Sequence, residues 1–149
     1  MTPQQSELVK QSWQDVAPIA DVAANLFYDR LFELDPSLTK LFQNSDLPAQ
    51  KKALLHALSA AVAGLDAIDD LTPQLQALGH RHVAYGVVPA HYITAGNALL
   101  WTLRKGLGES WTPETEQAWT AVYQFVSETM QTGAARDCSD APPSHQGTA

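Results

Sequence analysis

His82 is the residue best placed for chemistry in this sequence. It lies in the stretch LTPQLQALGHRHVAYGV, Leu71 to Val87. Leu71, Leu75, Leu78 and His82 step by four, three and four, so on a helix they share one face. Thr72 before Pro73 predicts the helix start, with proline at the first helical position, where its missing N–H costs nothing. Gly86 predicts its end. His82 then points where the leucines point, into apolar surroundings. An imidazole there needs a partner for each ring nitrogen. One nitrogen can donate to a carbonyl a turn earlier, leaving the other for a metal. The alternative is a core histidine held by a neighbouring polar group. His80 sits about 200° away around the helix at ~100° per residue and points to solvent. His56 is about 200° from Leu54 on its own helix and is expected to be solvated as well.

Two further polar residues fall on apolar helical faces. Tyr28 is in phase with Ala24, Leu31 and Phe32 and can face inward. Gln50 lies four residues before Leu54, on the edge of the same face, or else is an exposed first-turn residue.

The elements that must carry these residues are helices, which predicts an all-α fold. Thr2-Pro3-Gln4-Gln5 opens the first, with Leu8, Val9, Ser12, Trp13 and Val16 following at helical spacing. Pro18 ends that helix or begins the next, where Ile19, Val22, Ala23, Leu26, Phe27, Leu31 and Leu34 keep the period. Asp35-Pro36-Ser37 breaks it, and a short turn carries Leu38, Leu41 and Phe42. Gln43 to Pro48 reads as loop, with Asn44, Ser45 and Asp46 as turn formers. A long helix from about Ala49 buries Leu54, Leu55, Leu58, Ala61, Val62 and Leu65. Beyond the His82 helix, Pro89 starts one with Tyr92, Ile93, Leu99, Leu100, Leu103 and Leu107 inward, stopping at Gly108. Thr112-Pro113-Glu114 opens the last, with Ala118, Trp119, Val122, Tyr123, Val126 and Met130 inward. Residues 1–133 form one domain. After Gly133 the composition turns to Ala, Asp, Ser, Pro and Gly, and residues 134–149 read as a polar, flexible tail.

The 149 residues carry a formal charge of −7. Such a chain repels phosphate backbones and anionic lipid, which argues against nucleic acid or membrane surfaces as partners. No apolar run approaches the ~18–20 residues of a membrane span. The N-terminus has neither a long apolar run nor a cleavage site, so no signal peptide is expected. Cys138 is the single cysteine. It cannot form an intrachain disulfide, which fits a reducing, cytoplasmic compartment.

Five motifs, in order and spacing, resemble the globin family, specifically bacterial single-domain globins similar to neuroglobins and to the haem domain of flavohaemoglobins. They are LFYDRLFELDP (Leu26 to Pro36), LFQN (Leu41 to Asn44), LGHRHVAYGV (Leu78 to Val87), HYITAGNALL (His91 to Leu100) and AWTAVY (Ala118 to Tyr123). The resemblance covers about Ser6 to Met130. It implies a globin fold around a haem b pocket, with His82 as the proximal ligand of the iron. Phe42 matches the phenylalanine that stacks on the haem. Tyr28 and Gln50 match the two distal positions that hydrogen-bond a gas ligand, and Leu54 the apolar residue one turn further on. Val87 matches a haem contact just after the proximal helix. Arg81 matches a basic position that pairs with a propionate, or else is a solvated arginine. Tyr92 matches a proximal tyrosine of flavohaemoglobins. The glutamate that accompanies it there falls at about Ala134, which argues against a strongly anionic proximal histidine.

The resemblance implies reversible, high-affinity binding of O2 at ferrous iron, for storage, delivery or scavenging. Tyrosine O–H and glutamine N–H are donors suited to the partial negative charge that oxygen acquires as a ligand. The alternatives are a nitric oxide dioxygenase served by a separate reductase, a haem-based gas or redox sensor, and an all-α interaction module without cofactor. The last would leave a tyrosine, a glutamine and a histidine converging on an unfilled apolar cavity, which is costly unless each finds a partner. NO and CO are further gas ligands to expect. The chain ends before a flavin or nicotinamide domain could begin, so redox turnover would need an external reductase. The sequence does not fix the oligomeric state.

Overall fold

The computed structural model describes residues 2–43, 46–84 and 87–140, with side chains for all of these except residues 84 and 134–140. Six α-helices carry the chain, with no strand among the described residues: α1 (Pro3–Val16), α2 (Ala20–Leu34), α3 (Leu47–Ala63), α4 (Ile68–Ala84), α5 (Pro89–Leu107) and α6 (Pro113–Asp140). Single 3₁₀ turns link α1 to α2, α3 to α4 and α5 to α6, and a longer one, Pro36–Phe42, follows α2.

Most boundaries follow from local chemistry. The Thr2 hydroxyl accepts the Gln5 backbone N–H and the Gln5 side chain accepts that of Thr2, so two orphan donors of α1 are met reciprocally. Asp35 ends α2 in an extended conformation, and its carboxylate accepts the Ser37 N–H at 3.1 Å. Asp46 caps α3, which begins at Leu47, so the expected loop before it is shorter than the sequence suggests. Thr112 accepts the Thr115 N–H at 3.1 Å to open α6. Gly108, at φ +55°, ends α5 in a region that favours glycine.

The start of α4 differs from expectation. The helix begins at Ile68 and Pro73 lies inside it. Asp69 and Asp70 in the first turn favour the earlier start through the helix dipole. So close to the N-terminus the proline removes one backbone bond without ending the helix. Thr72 does not cap; its hydroxyl donates to the Ile68 carbonyl at 2.8 Å. Gly86, Asn44, Ser45 and residues 141–149 lie outside the described residues. The backbone of α6 runs on through residues 134–140.

Several expected core residues face water: Val22 is 55% exposed and Ile93 69%, and Ile19 and Leu34 are also exposed. On α2 the buried stripe is Ala23, Ala24, Phe27, Tyr28 and Leu31. Val22 lies on the opposite face of the helix, and Leu34, in phase with the stripe, is its last residue. On α5 the inward line runs through Gly96, Leu99, Leu103 and Leu107, and Ile93 lies roughly a fifth of a turn from it, at the start of the helix.

The packed apolar side chains form two clusters. The larger joins α1, α2, α3, α5 and α6 and includes Phe27, Tyr28, Leu103 and Trp119. Inside it the Trp119 indole N–H donates to the Ser12 hydroxyl at 2.7 Å, and that hydroxyl donates to the Leu8 carbonyl at 2.8 Å. The smaller cluster sits between α4 and α6: Leu71, Leu75 and Met130, with Leu78, Tyr92, Phe125 and Val126 packed against them. Here two helices touch backbone to backbone. A Cβ on Gly79 would lie 1.9 Å from the Met130 carbonyl oxygen, and one on Gly133 would lie 2.4 Å from that of Gln76. Only glycine permits either approach.

Candidate functional site

The chemistry-bearing residues come from α2, α3 and α4. α3 packs on α1 and α2, and α4 packs on α6. Although consecutive in the chain, α3 and α4 barely touch each other among the described residues. The side chains along their edges, Gln50, Leu54, Leu78 and His82, are half-buried, as are Phe42 before α3 and Val87 and Tyr92 after α4.

On α4, His82 is half-buried and its Nδ1 lies 2.8 Å from the Leu78 carbonyl oxygen, one turn back. A carbonyl only accepts, so Nδ1 carries the proton, and in neutral imidazole the lone pair is then on Nε2. Burial is the main influence lowering the pKa of His82, and the neighbouring Arg81 charge adds to it; the Leu78 bond opposes both. His82 is thereby biased toward the neutral, ligating form. Arg81 and His80 are exposed.

On α2, Tyr28 is buried among aromatic rings. Phe27 and Phe42 meet it edge-on at centroid distances of 5.1 and 5.6 Å, and Phe32 lies tilted at 6.1 Å. Its hydroxyl reaches across to α3 and donates to the backbone carbonyl of Gln50 at 3.4 Å. That is long for an O–H···O bond, whose usual length is ~2.7–2.8 Å. Burial pushes the Tyr28 pKa up to about 12, so the group is a proton donor at neutral pH. The structure thus brings Tyr28 and Gln50 together, but through the Gln50 main chain. The Gln50 carboxamide makes no hydrogen bond among the described residues.

Leu54 lines a small apolar void of about 10 Å³ with Phe27, Leu58 and Leu99. Tyr92 contributes its backbone carbonyl, which accepts the Tyr123 hydroxyl at 2.6 Å. Burial raises the pKa of both tyrosines. That bond fixes the start of α5 against α6, and Gly96 makes room for the Tyr123 ring. Neither role was readable from the sequence, where Tyr123 shows only as one of several inward positions. Nor was that of His91, whose Nδ1 accepts the Val88 N–H at 3.1 Å at the start of α5. The side chain at position 134 is outside the described ones.

The globin family profile matches residues 25–130. The chain belongs to the globin family. Among curated relatives, this globin is 31% identical to a neuroglobin of Tetraodon nigroviridis, over 94% of this chain and 96% of that one. It is also 31% identical to the flavohemoprotein of Bacillus subtilis, over 82% of this chain. The matched region there is 31% of the relative's length, so the chain corresponds to about a third of a flavohemoprotein. In fold it is similar to a hexacoordinated heme protein from an anhydrobiotic tardigrade, with a TM-score of 0.84 at 18% identity, covering 91% of this chain and 96% of that one.

Family membership supports haem as the cofactor, and the residues present fit it. The group is a flat apolar disc with a charged edge. α3 and α4 barely touch among the described residues, and each carries half-buried apolar side chains, Leu54 and Leu58 on α3 and Leu78 on α4. Among the described residues no group of three or more His, Cys, Asp or Glu could hold a metal ion. No helix among the described residues is long and apolar enough to cross a membrane.

Proposed function

We propose that this globin holds haem b between α3 and α4 and binds O2 reversibly with high affinity, as a store, carrier or scavenger. His82 would hold the iron through Nε2, Phe42 would pack on the haem, Val87 and Tyr92 would line the His82 side, and Arg81 would stand near the charged edge. When bound, haem would supply an iron able to take a diatomic gas. Tyr28, Gln50 and Leu54 would line the space for that gas.

The observation that carries this reading is the Tyr28 hydroxyl. It is buried, protonated at neutral pH, and its one hydrogen bond among the described residues is 3.4 Å long. A small swing directs its proton at a polar ligand, and the Gln50 carboxamide offers a second donor. Charge-assisted bonds of this kind are about twice as strong as neutral ones. They favour O2, which gains negative charge as a ligand, over CO, which gains far less. The soluble cytoplasm is the compartment we assign, on the lone cysteine and the acidic balance.

The test is an absorption spectrum of the purified protein, oxidised, reduced and oxygenated. Haem bands, and an oxygen complex that persists, support the reading; absence of haem refutes it. His82→Ala is expected to lose haem while His80→Ala keeps it, and equal retention would overturn the axial assignment.

The flavohemoprotein relatives favour a second reading, nitric oxide dioxygenase, in which O2 and NO yield nitrate and a separate reductase restores ferrous iron. Sustained NO consumption with a cellular reductant would support it. Turnover that stalls after one equivalent would leave the binder.

A further inference from the structure

The chain is acidic, with nine lysines and arginines and a formal charge of −7. Arg30 on α2 and Lys105 on α5 nevertheless both crowd Trp101. The Arg30 guanidinium carbon lies 5.1 Å from the Trp101 ring centroid, and the Lys105 ammonium 5.7 Å from it. Arg30, Trp101 and Arg104 line a surface cavity of about 230 Å³ between α2, α5 and the start of α6. Leu100, Asn97 and Glu116 complete it.

Stacking on Trp101 accounts for the position of Arg30 but not for its hydrogen-bond state. The Arg30 Nε–H is buried and has no acceptor among the described residues. The remainder of its guanidinium has only Glu33, at 4.0 Å, the outer limit of an ion pair. Arg104, on the same wall, has no ion pair among the described residues. Glu116 is the one acid in the lining, and its carboxylate is engaged by the Trp111 indole N–H at 3.2 Å. Arg30, Arg104 and the adjacent Lys105 against Glu116 and the distant Glu33 leave the cavity positive.

We propose that this cavity binds a small organic anion, a carboxylate or phosphate ester. Its oxyanion sits between Arg30 and Arg104, and its apolar body lies against Trp101 and Leu100. Guanidinium forks match carboxylate and phosphate oxygens. The volume falls below the ~300–1,000 Å³ of a pocket for drug-sized ligands, which sets the ligand's size. The surrounding negative charge of the chain disfavours long polyanions. The site does not depend on the haem reading.

The experiment is a titration of isotope-labelled protein with phenyl phosphate, benzoate and inorganic phosphate, at constant ionic strength set with sodium chloride. The Trp101 indole N–H and Arg30 Nε–H resonances report binding. Saturable shifts of both are expected, with phenyl phosphate or benzoate the tighter according to whether phosphate ester or carboxylate is the native class. Arg104→Gln, an exposed change, is expected to weaken binding at least tenfold with the rest of the spectrum unmoved, and Arg30→Gln likewise. Shifts that never saturate, or that Arg104→Gln leaves unchanged, would overturn the site. Inorganic phosphate binding as tightly as phenyl phosphate would overturn the role of the apolar wall. An acidic peptide that binds where the small anions fail would show a protein-docking surface instead.

Discussion

Replacing Tyr28 by phenylalanine isolates one hydroxyl. The ring keeps its contacts with Phe27, Phe32 and Phe42, so packing is unchanged. Among the described residues the bond lost is the one to the Gln50 carbonyl, at 3.4 Å. A neutral hydrogen bond contributes ~0.5–1.5 kcal/mol, and one so long belongs at the lower end. Stability should therefore fall by no more than about 1 kcal/mol. Ligand binding should change far more. A hydrogen bond to a charged acceptor is worth ~1.5–3 kcal/mol, which at 1.4 kcal/mol per decade is a roughly 10- to 150-fold faster release of O2. CO should be affected much less. The assay is stopped-flow displacement of each gas from wild type and Tyr28→Phe, with urea unfolding of both. Adding Gln50→Leu should speed O2 release further, and not additively if both donors share one acceptor. Equal changes for the two gases, or none, would show that Tyr28 is a core residue and that other groups form the distal pocket.

Gly79→Ala places a methyl 1.9 Å from the Met130 carbonyl oxygen, where only backbone movement relieves the clash. It should cost about 3 kcal/mol or more in urea denaturation and speed haem loss, because His82 lies one turn further along α4. Ser12→Ala leaves the buried Trp119 indole N–H without its acceptor and should lower stability by about 1–3 kcal/mol, read from the denaturation midpoint. Alkaline pH should destabilise the fold through Tyr28. Its folded pKa, about 12, lies above the unfolded value near 10, so the folded state holds the proton more tightly. That contribution, up to about 3 kcal/mol, is complete below pH 10 and is lost as pH rises toward 12. Tyr123 is shifted the same way, and unfolding at fixed urea followed from pH 8 to 12 should show the decline.

Local rules were legible where one residue dictates one bond. The Thr2–Gln5 capping box, the stop at Asp35 and the Thr112 cap are each written in three or four adjacent letters. The inward turn of Tyr28 and the His82–Leu78 bond follow from helical period alone. Pro73 misled because a proline favours the first turn but is also tolerated just past it, and Asp69 and Asp70 carry the helix start back to Ile68. Val22 and Ile93 misled because their neighbours decide which edge of an amphipathic stripe is covered. Gly79 looks like an ordinary helical glycine, and Gly133 like the start of a tail, until α4 and α6 are laid together. The gathering of Arg30, Trp101 and Arg104 is likewise invisible until α2 and α5 pack. Globin membership was legible from the five motifs, because their order encodes the tertiary arrangement that no single one does.

The division of the packed side chains into two clusters has a consequence for how the molecule opens. α6 supports both: its first half is pinned to α1 through Trp119 and Ser12, and its second half carries α4 through Met130 and Gly133. The end of α6 and α4 can therefore unzip as one unit while the first half of α6 stays docked. Amide hydrogens in Leu71–Ala84 and beyond Val126 should exchange together, through a sub-global opening cheaper than global unfolding. In that open form His82 leaves with its helix while Tyr28 remains in place. Loss of the cofactor would then be governed by the free energy of this one hinge-like unit, with a denaturant dependence shallower than that of the whole chain.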